Sequence, residues 1–139
     1  EGITKVPSNS FDELPNAVTL SIPSTVASID PFYNNGFAEI KVAGGNNYYS
    51  VIDGVLFNSE KTELIMYPAK KAGETYTVPD GVTTLCYNSF EYVKNLKTVN
   101  VSDDVTIINS YCFSNSSVEN NKLKKKILFD RQSYIWRAK

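Results

Sequence analysis

An apolar frame recurs along this 139-residue chain at a nearly fixed interval, and it limits the available folds more than any single residue does. Val82-x-x-Leu85-x4-Phe90-x5-Leu96-x-x-Val99-x-Val101 is followed 23 residues on by Val105-x-x-Ile108-x4-Phe113. Near the start the same frame reads Ile3-x-x-Val6-x4-Phe11-x5-Ala17-x-x-Leu20-x-Ile22, and then Val26-x-x-Ile29. A repeat of this length is one supersecondary unit that cannot bury its apolar face alone, so the units stack into a solenoid with one continuous core. Such a fold spends its interior on stacking and leaves function to an extended surface.

Within each unit the stretches Thr19-Leu20-Ser21-Ile22, Thr77-Val78 and Thr98-Val99-Asn100-Val101 alternate polar and apolar residues, the period of a half-buried strand. Pro23 and Pro79 end two of them, because proline has no N–H to give to a ladder. Asp80-Gly81 and Asp103-Asp104 mark turns, and the anchors Val82/Leu85 and Val105/Ile108 have the spacing of a tight irregular or 3₁₀ segment. Phe90 and Phe113 are expected to plug the convex side. One unit is short: Ile40 follows Ile29 by 11 residues where Val99 follows Leu85 by 14, so Phe32 or Phe37 must serve as its phenylalanine. The expected architecture is a right-handed solenoid with short parallel strands along one face and irregular or 3₁₀ segments on the other.

Between Val42 and Val78 the frame is interrupted, which marks a β-hairpin insertion over about residues 43–75. Gly44-Gly45-Asn46-Asn47 is a turn-rich break, Tyr49 to Phe57 reads as one strand with Asp53-Gly54 inside it, and Glu63 to Tyr67 reads as a second. Asn58 to Thr62 joins them as the hairpin loop. After Phe113 the frame fails and the sequence turns polar, as a terminal capping unit requires, so a cap is expected over about residues 114–139 with a strand at Ile127–Phe129. The whole is read as one solenoid domain, residues 1–139. Glu1 is preceded by no methionine or apolar leader, so either a signal peptide has been removed or the chain is part of a longer one.

Composition narrows the chemistry. With a formal net charge of −1 and a pI near 5.5, the chain carries no field to attract nucleic acid. No apolar run reaches the roughly 18 residues of a transmembrane helix, so direct membrane insertion is not expected. The chain has no histidine, which removes Ser–His and Cys–His triads and histidine-bearing zinc sites. Asp80, Asp103 and Asp104 stand at turns, where aspartate serves the backbone. Gly44-Gly45 lacks the spacing and the lysine of a phosphate loop, and Lys122 to Lys126 reads as a solvated edge that protects a terminal strand. Cys86 and Cys112 fall in packing slots of neighbouring units, three residues out of register, so both read as structural thiols. No catalytic residue, cofactor or metal ligand emerges. Tyrosine carries the binding signal: Tyr48, Tyr49 and Tyr76 are candidate contact residues for a protein surface or for stacking on sugar rings, whereas Tyr87 and Tyr111 read more readily as packing between coils.

Ile22-Pro23-Ser24-x-Val26-x-Ser28-Ile29 and Val78-Pro79-Asp80-Gly81-Val82-Thr83-Thr84-Leu85, with the phenylalanine that follows, resemble the leucine-rich repeats of BspA-like bacterial surface proteins. The insertion is similar too, through Tyr49-Ser50-Val51-Ile52-Asp53-Gly54-Val55-Leu56-Phe57-Asn58 and then Lys61-Thr62-x-Leu64-Ile65-x-Tyr67-Pro68. The resemblance covers about residues 3–113. The family often has a cysteine three residues after the phenylalanine, where this chain has Leu14, Val93 and Ser116. The resemblance implies a leucine-rich-repeat solenoid, a secreted or cell-surface location and a non-enzymatic role in protein binding or adhesion, with a host or bacterial surface protein as partner. A glycan partner and a structural spacer are the alternatives.

Overall fold

The structure is a computed structural model in which residues 2–11, 18–31 and 36–121 are described. Among them there are twelve short strands and no helix. The chain coils so that strands fall into two rows. The first row holds β2 (Thr19–Ile22) beside β4 (Glu39–Val42), and then β8 (Thr75–Thr77), β10 (Thr98–Asn100) and β12 (Asn120–Asn121). The second row holds β1 (Lys5–Val6) beside β3 (Ser28–Ile29), and then a five-stranded sheet ordered β11 (Ile107–Ile108), β9 (Thr84–Leu85), β7 (Glu63–Met66), β6 (Val55–Asn58) and β5 (Tyr49–Ile52).

Every pairing between coils is parallel, as stacked units of one hand require. Lys5 opposes Ser28, Thr75 opposes Thr98 and Thr84 opposes Ile107, each at the sequence period, while Thr19 opposes Glu39 in the short unit. The anchors read as tight turns hold, in addition, the two-residue strands of the second row. These form because one carbonyl per coil accepts two successive N–H groups from the next: Thr4 from Ala27 and Ser28, Thr62 from Thr83 and Thr84, Thr83 from Thr106 and Ile107.

The interruption of the frame is not an appendage. Tyr49 to Phe57 is two strands, not one, because Asp53 (φ 50°) and Gly54 (φ 75°) form the two-residue turn that both-positive φ angles specify. β5, β6 and β7 therefore make an antiparallel meander whose side chains enter two different cores, alternating along β6 and switching face in β7 across the irregularity opposite Leu56 and Phe57. Val55, Phe57 and Leu64 pack with Val82, Leu85, Phe90 and Leu96 of the later coils. Leu56 and Met66 pack with Leu20, Ile22, Val26 and Ile40 of the earlier ones. Val55, Leu56 and Phe57 are all fully buried, the pattern of a strand covered on both faces. The meander is a wall between two cores. Its tip reaches the first row, where the Gly54 carbonyl accepts the Ile40 N–H at 3.1 Å and Asp53 pairs with Lys71 at 3.4 Å.

The phenylalanine slot is a column of rings. Phe90 and Phe113 stack at 5.0 Å, and Tyr67 stacks on the other face of the column at 5.2 Å from Phe90. Tyr67 lies one 23-residue period before Phe90 and so holds the phenylalanine slot of the meander's own coil. In the short unit Phe37 serves, buried and edge-on to Phe11 at 5.3 Å; Phe32 lies outside the described residues.

The frame also persists past Phe113. Glu119 donates to the Lys97 carbonyl, Val118 is buried and β12 pairs with β10. The polar run Ser114–Asn121 hid this rung because a ladder bond needs only backbone. The strand expected at Ile127–Phe129, the lysine run Lys122 to Lys126 and most of the expected cap lie outside the described residues.

Candidate functional site

The second row breaks between β3 and β5, and a groove opens at the break. These strands do not pair through their backbones; instead the Tyr49 phenol oxygen accepts the Ile29 N–H at 2.9 Å. A hollow of about 370 Å³ lies beside this bond, within the size range of small binding sites. Its walls include Ile29, Asp30, Tyr48, Tyr49, Glu63, Ile65, Cys86 and Tyr87. A second hollow of about 470 Å³ continues it past Asp30, Tyr87 and Asn88 to Ser110 and Tyr111.

Asn46 fixes one end of the groove. Its amide donates to the Pro23 and Val26 carbonyls at 2.9 and 3.0 Å, and its side-chain oxygen accepts the Tyr48 and Tyr49 N–H groups at 2.8 and 2.9 Å. The Gly44–Asn47 break is therefore a pinned turn, with Gly45 at φ 85° supplying the left-handed step. It delivers Tyr48 and Tyr49 to the groove in fixed positions.

The three tyrosines singled out by sequence part company. Tyr48 stands out, 53% exposed, and Tyr49 is half-buried with its hydroxyl engaged and its pKa raised by burial. Tyr76 does not join them. Its ring packs on Tyr67 at 5.0 Å and near Phe90 at 6.1 Å, its hydroxyl is buried without a partner, and burial pushes its pKa up. Tyr87 and Tyr111, read from sequence as packing residues, are 44% and 45% exposed on the groove wall. Their signal was present but misleading: a residue next to a packing slot in a tight turn points away from the coil.

The ionic and polar groups are partly committed. Asp30 pairs with Lys5 at 3.2 Å. Asn58 Oδ1 accepts the Thr62 and Glu63 N–H groups, and its amide donates to Thr62, which closes the hairpin loop. Asn88, at φ 58°, donates to the Glu91 carboxylate at 2.8 Å; burial raises the Glu91 pKa and this bond opposes the rise. Both cysteines are free thiols. Burial pushes Cys86 and Cys112 up to about 12, so at neutral pH each is protonated and a poor nucleophile. Cys112 Sγ lies 3.1 Å from Ser89 Oγ, which stands one period earlier in the same packing slot. Asp104 accepts the Gly81 N–H at 3.0 Å, a service to the neighbouring turn. Among the described residues no three His, Cys, Asp or Glu side chains converge as a metal site.

Comparison with known proteins decides the family. The model of the BspA type leucine-rich-repeat region matches in six copies, over residues 1–72 and 69–134. The chain is a BspA-type leucine-rich-repeat protein. Solved structures agree with the fold. A leucine-rich-repeat protein from Eubacterium ventriosum is 33% identical, with a TM-score of 0.67 over 69% of this chain and 27% of that one. The pneumococcal vaccine antigen PcpA is 25% identical, with a TM-score of 0.75 over 87% of this chain and 31% of its own. A leucine-rich cell-surface protein from Faecalibacterium prausnitzii is 21% identical, with a TM-score of 0.75 over 87% of this chain and 33% of its own. The BspA-type chain thus spans about a third or less of these proteins' lengths. No curated protein matches it. Leucine-rich-repeat chains of this kind serve as binding or structural modules, and in this BspA-type chain the groove at the row break is where exposed aromatic side chains gather.

Proposed function

We propose that this chain is a non-enzymatic binding module of a secreted or cell-surface bacterial protein, and that it takes a partner protein in the groove at the break between β3 and β5. One observation carries the reading: Tyr48, Tyr87 and Tyr111, three of the exposed large hydrophobic residues, all line this groove. Exposed tyrosines gathered around a concavity supply large, rigid contact area at low entropic cost, as interface anchors do. The vaccine antigen and the cell-surface protein among the structural relatives support the location. A protein occupant is favoured over a glycan because the Asn58 side chain, which would otherwise read sugar hydroxyls, is spent inside the hairpin loop.

Affinity capture from host-matrix and bacterial-envelope extracts tests this with the wild type beside a Tyr48→Ala/Tyr87→Ala double variant. The expected result is one or more proteins retained by the wild type and reduced at least tenfold with the variant, since anchor truncation costs upwards of about 1–2 kcal/mol. Equal retention by both would remove the groove from the account. Retention of nothing by the wild type would leave a structural spacer as the better reading.

A further inference from the structure

We propose that the groove is built for a basic segment, an extended stretch of partner chain whose Lys or Arg side chain lies across Tyr87 and ends between the carboxylates of Asp30 and Glu63. This rests on the groove being the binding surface and adds the chemistry of its occupant.

Charge is the first argument. Asp30 lines both hollows and Glu63 the first, and among the described residues neither is lined by a lysine or arginine. Glu63 has no ion-pair partner among the described residues and lines the first hollow together with Cys86. Asp30 stands at the other wall, where its charge acts on the Tyr49 phenol. Lys5 from β1 pairs with Asp30 at 3.2 Å, but its side chain is 59% exposed, so the pair is weak and a partner's cation can replace it. An incoming anion would meet like charges, while a cation completes the wall.

The rings are the second argument. A tyrosine face attracts an ammonium or guanidinium held within about 6 Å of its centre. The protein already makes this contact once, in cis, with the Lys94 ammonium 6.0 Å from the Tyr92 ring centre. Tyr87, five residues earlier in the same coil and 44% exposed, presents the same chemistry to the groove. A lysine or arginine stem can cover the apolar part of the wall while its head reaches the carboxylates. A neutral sugar would use the rings but leave the Glu63 carboxylate without a counter-ion.

Fluorescence anisotropy with a labelled ten-residue Lys-Gly peptide tests the proposal, beside the same peptide with glutamine for lysine. Saturable binding of the basic peptide alone is expected at moderate ionic strength. Glu63→Gln and Tyr87→Ala are each expected to weaken it about two- to fivefold, the size of one exposed charge or cation–π contact. Lys5→Gln should tighten it, because the internal competitor for Asp30 is gone. Asp103→Asn, on a turn outside the groove, should change nothing. Circular dichroism melts check that each variant is folded. The proposal is overturned by equal binding of the glutamine peptide, by an equal effect of Asp103→Asn, or by no binding up to millimolar peptide. If neutral oligosaccharides bind and Tyr87→Ala abolishes that binding, the groove stands and the basic occupant does not. If the double tyrosine variant also captures every partner normally, the groove itself is refuted.

Discussion

Phe57→Ala is expected to destabilise the protein by roughly 3–5 kcal/mol, as for a fully buried aromatic removed from a packed core. Leu56→Ala, at the next residue, is expected to cost roughly 2–5 kcal/mol. The pair is informative because neighbouring residues of a strand point to opposite faces. In a hairpin lying on a surface one of the two would be nearly neutral, within about 0.5 kcal/mol. Here Phe57 fills the core of the later coils and Leu56 that of the earlier ones, so both substitutions must be severe. Urea denaturation midpoints at an unchanged slope measure both effects. Tyr48→Ala, at an exposed groove position, serves as the mild control.

Phe90→Ala carries the second large effect, again roughly 3–5 kcal/mol from lost burial and the cavity left behind. Phe90 is the middle ring of the Tyr67–Phe90–Phe113 column and also meets Tyr76, so its loss unstacks the rings on both sides at once. Each aromatic pair adds about 0.5–1.5 kcal/mol beyond area burial. Phe90→Leu should therefore recover the larger part of the stability but not all of it. Phe113→Ala combined with Phe90→Ala should cost less than the two single losses together, because they share one contact. A double-mutant cycle by urea denaturation reads this coupling directly. Additivity within about 0.3 kcal/mol would mean that the column is geometry without energetic consequence.

What could be read from the sequence was whatever repeats. Phe90 and Phe113 occupy equivalent slots because each coil must fill the same hole, so their stacking followed from spacing alone. Tyr67 lies one period before Phe90, but its slot is masked in the sequence because it ends an apolar strand rather than following a turn. Asp53-Gly54 carried the strongest short-range hairpin signal, and Val55-Leu56-Phe57 carried the continuous apolar run of a two-faced strand. Each was legible by itself; their joint meaning, a wall inside the solenoid, depends on which coils lie to either side. The groove was the least legible part. It exists because a phenol oxygen from β5 meets an N–H of β3 in place of a backbone carbonyl. No spacing rule reports a rung that fails to form. Tyr76 is the converse case, since its place beside a loop suggests a surface tyrosine while its ring packs against Tyr67 and Phe90.

The central claim is that the interrupting segment is the structural middle of the solenoid and that the groove is the seam it leaves. Native-state hydrogen exchange of the β6 amides tests this most directly. The account predicts that they exchange only through global unfolding, with the same opening free energy as β9 and β10 and the same value as urea denaturation gives. Exchange of β6 through a local opening at half that free energy or less, with β9 and β10 still protected, would contradict it and return the meander to the status of an appendage.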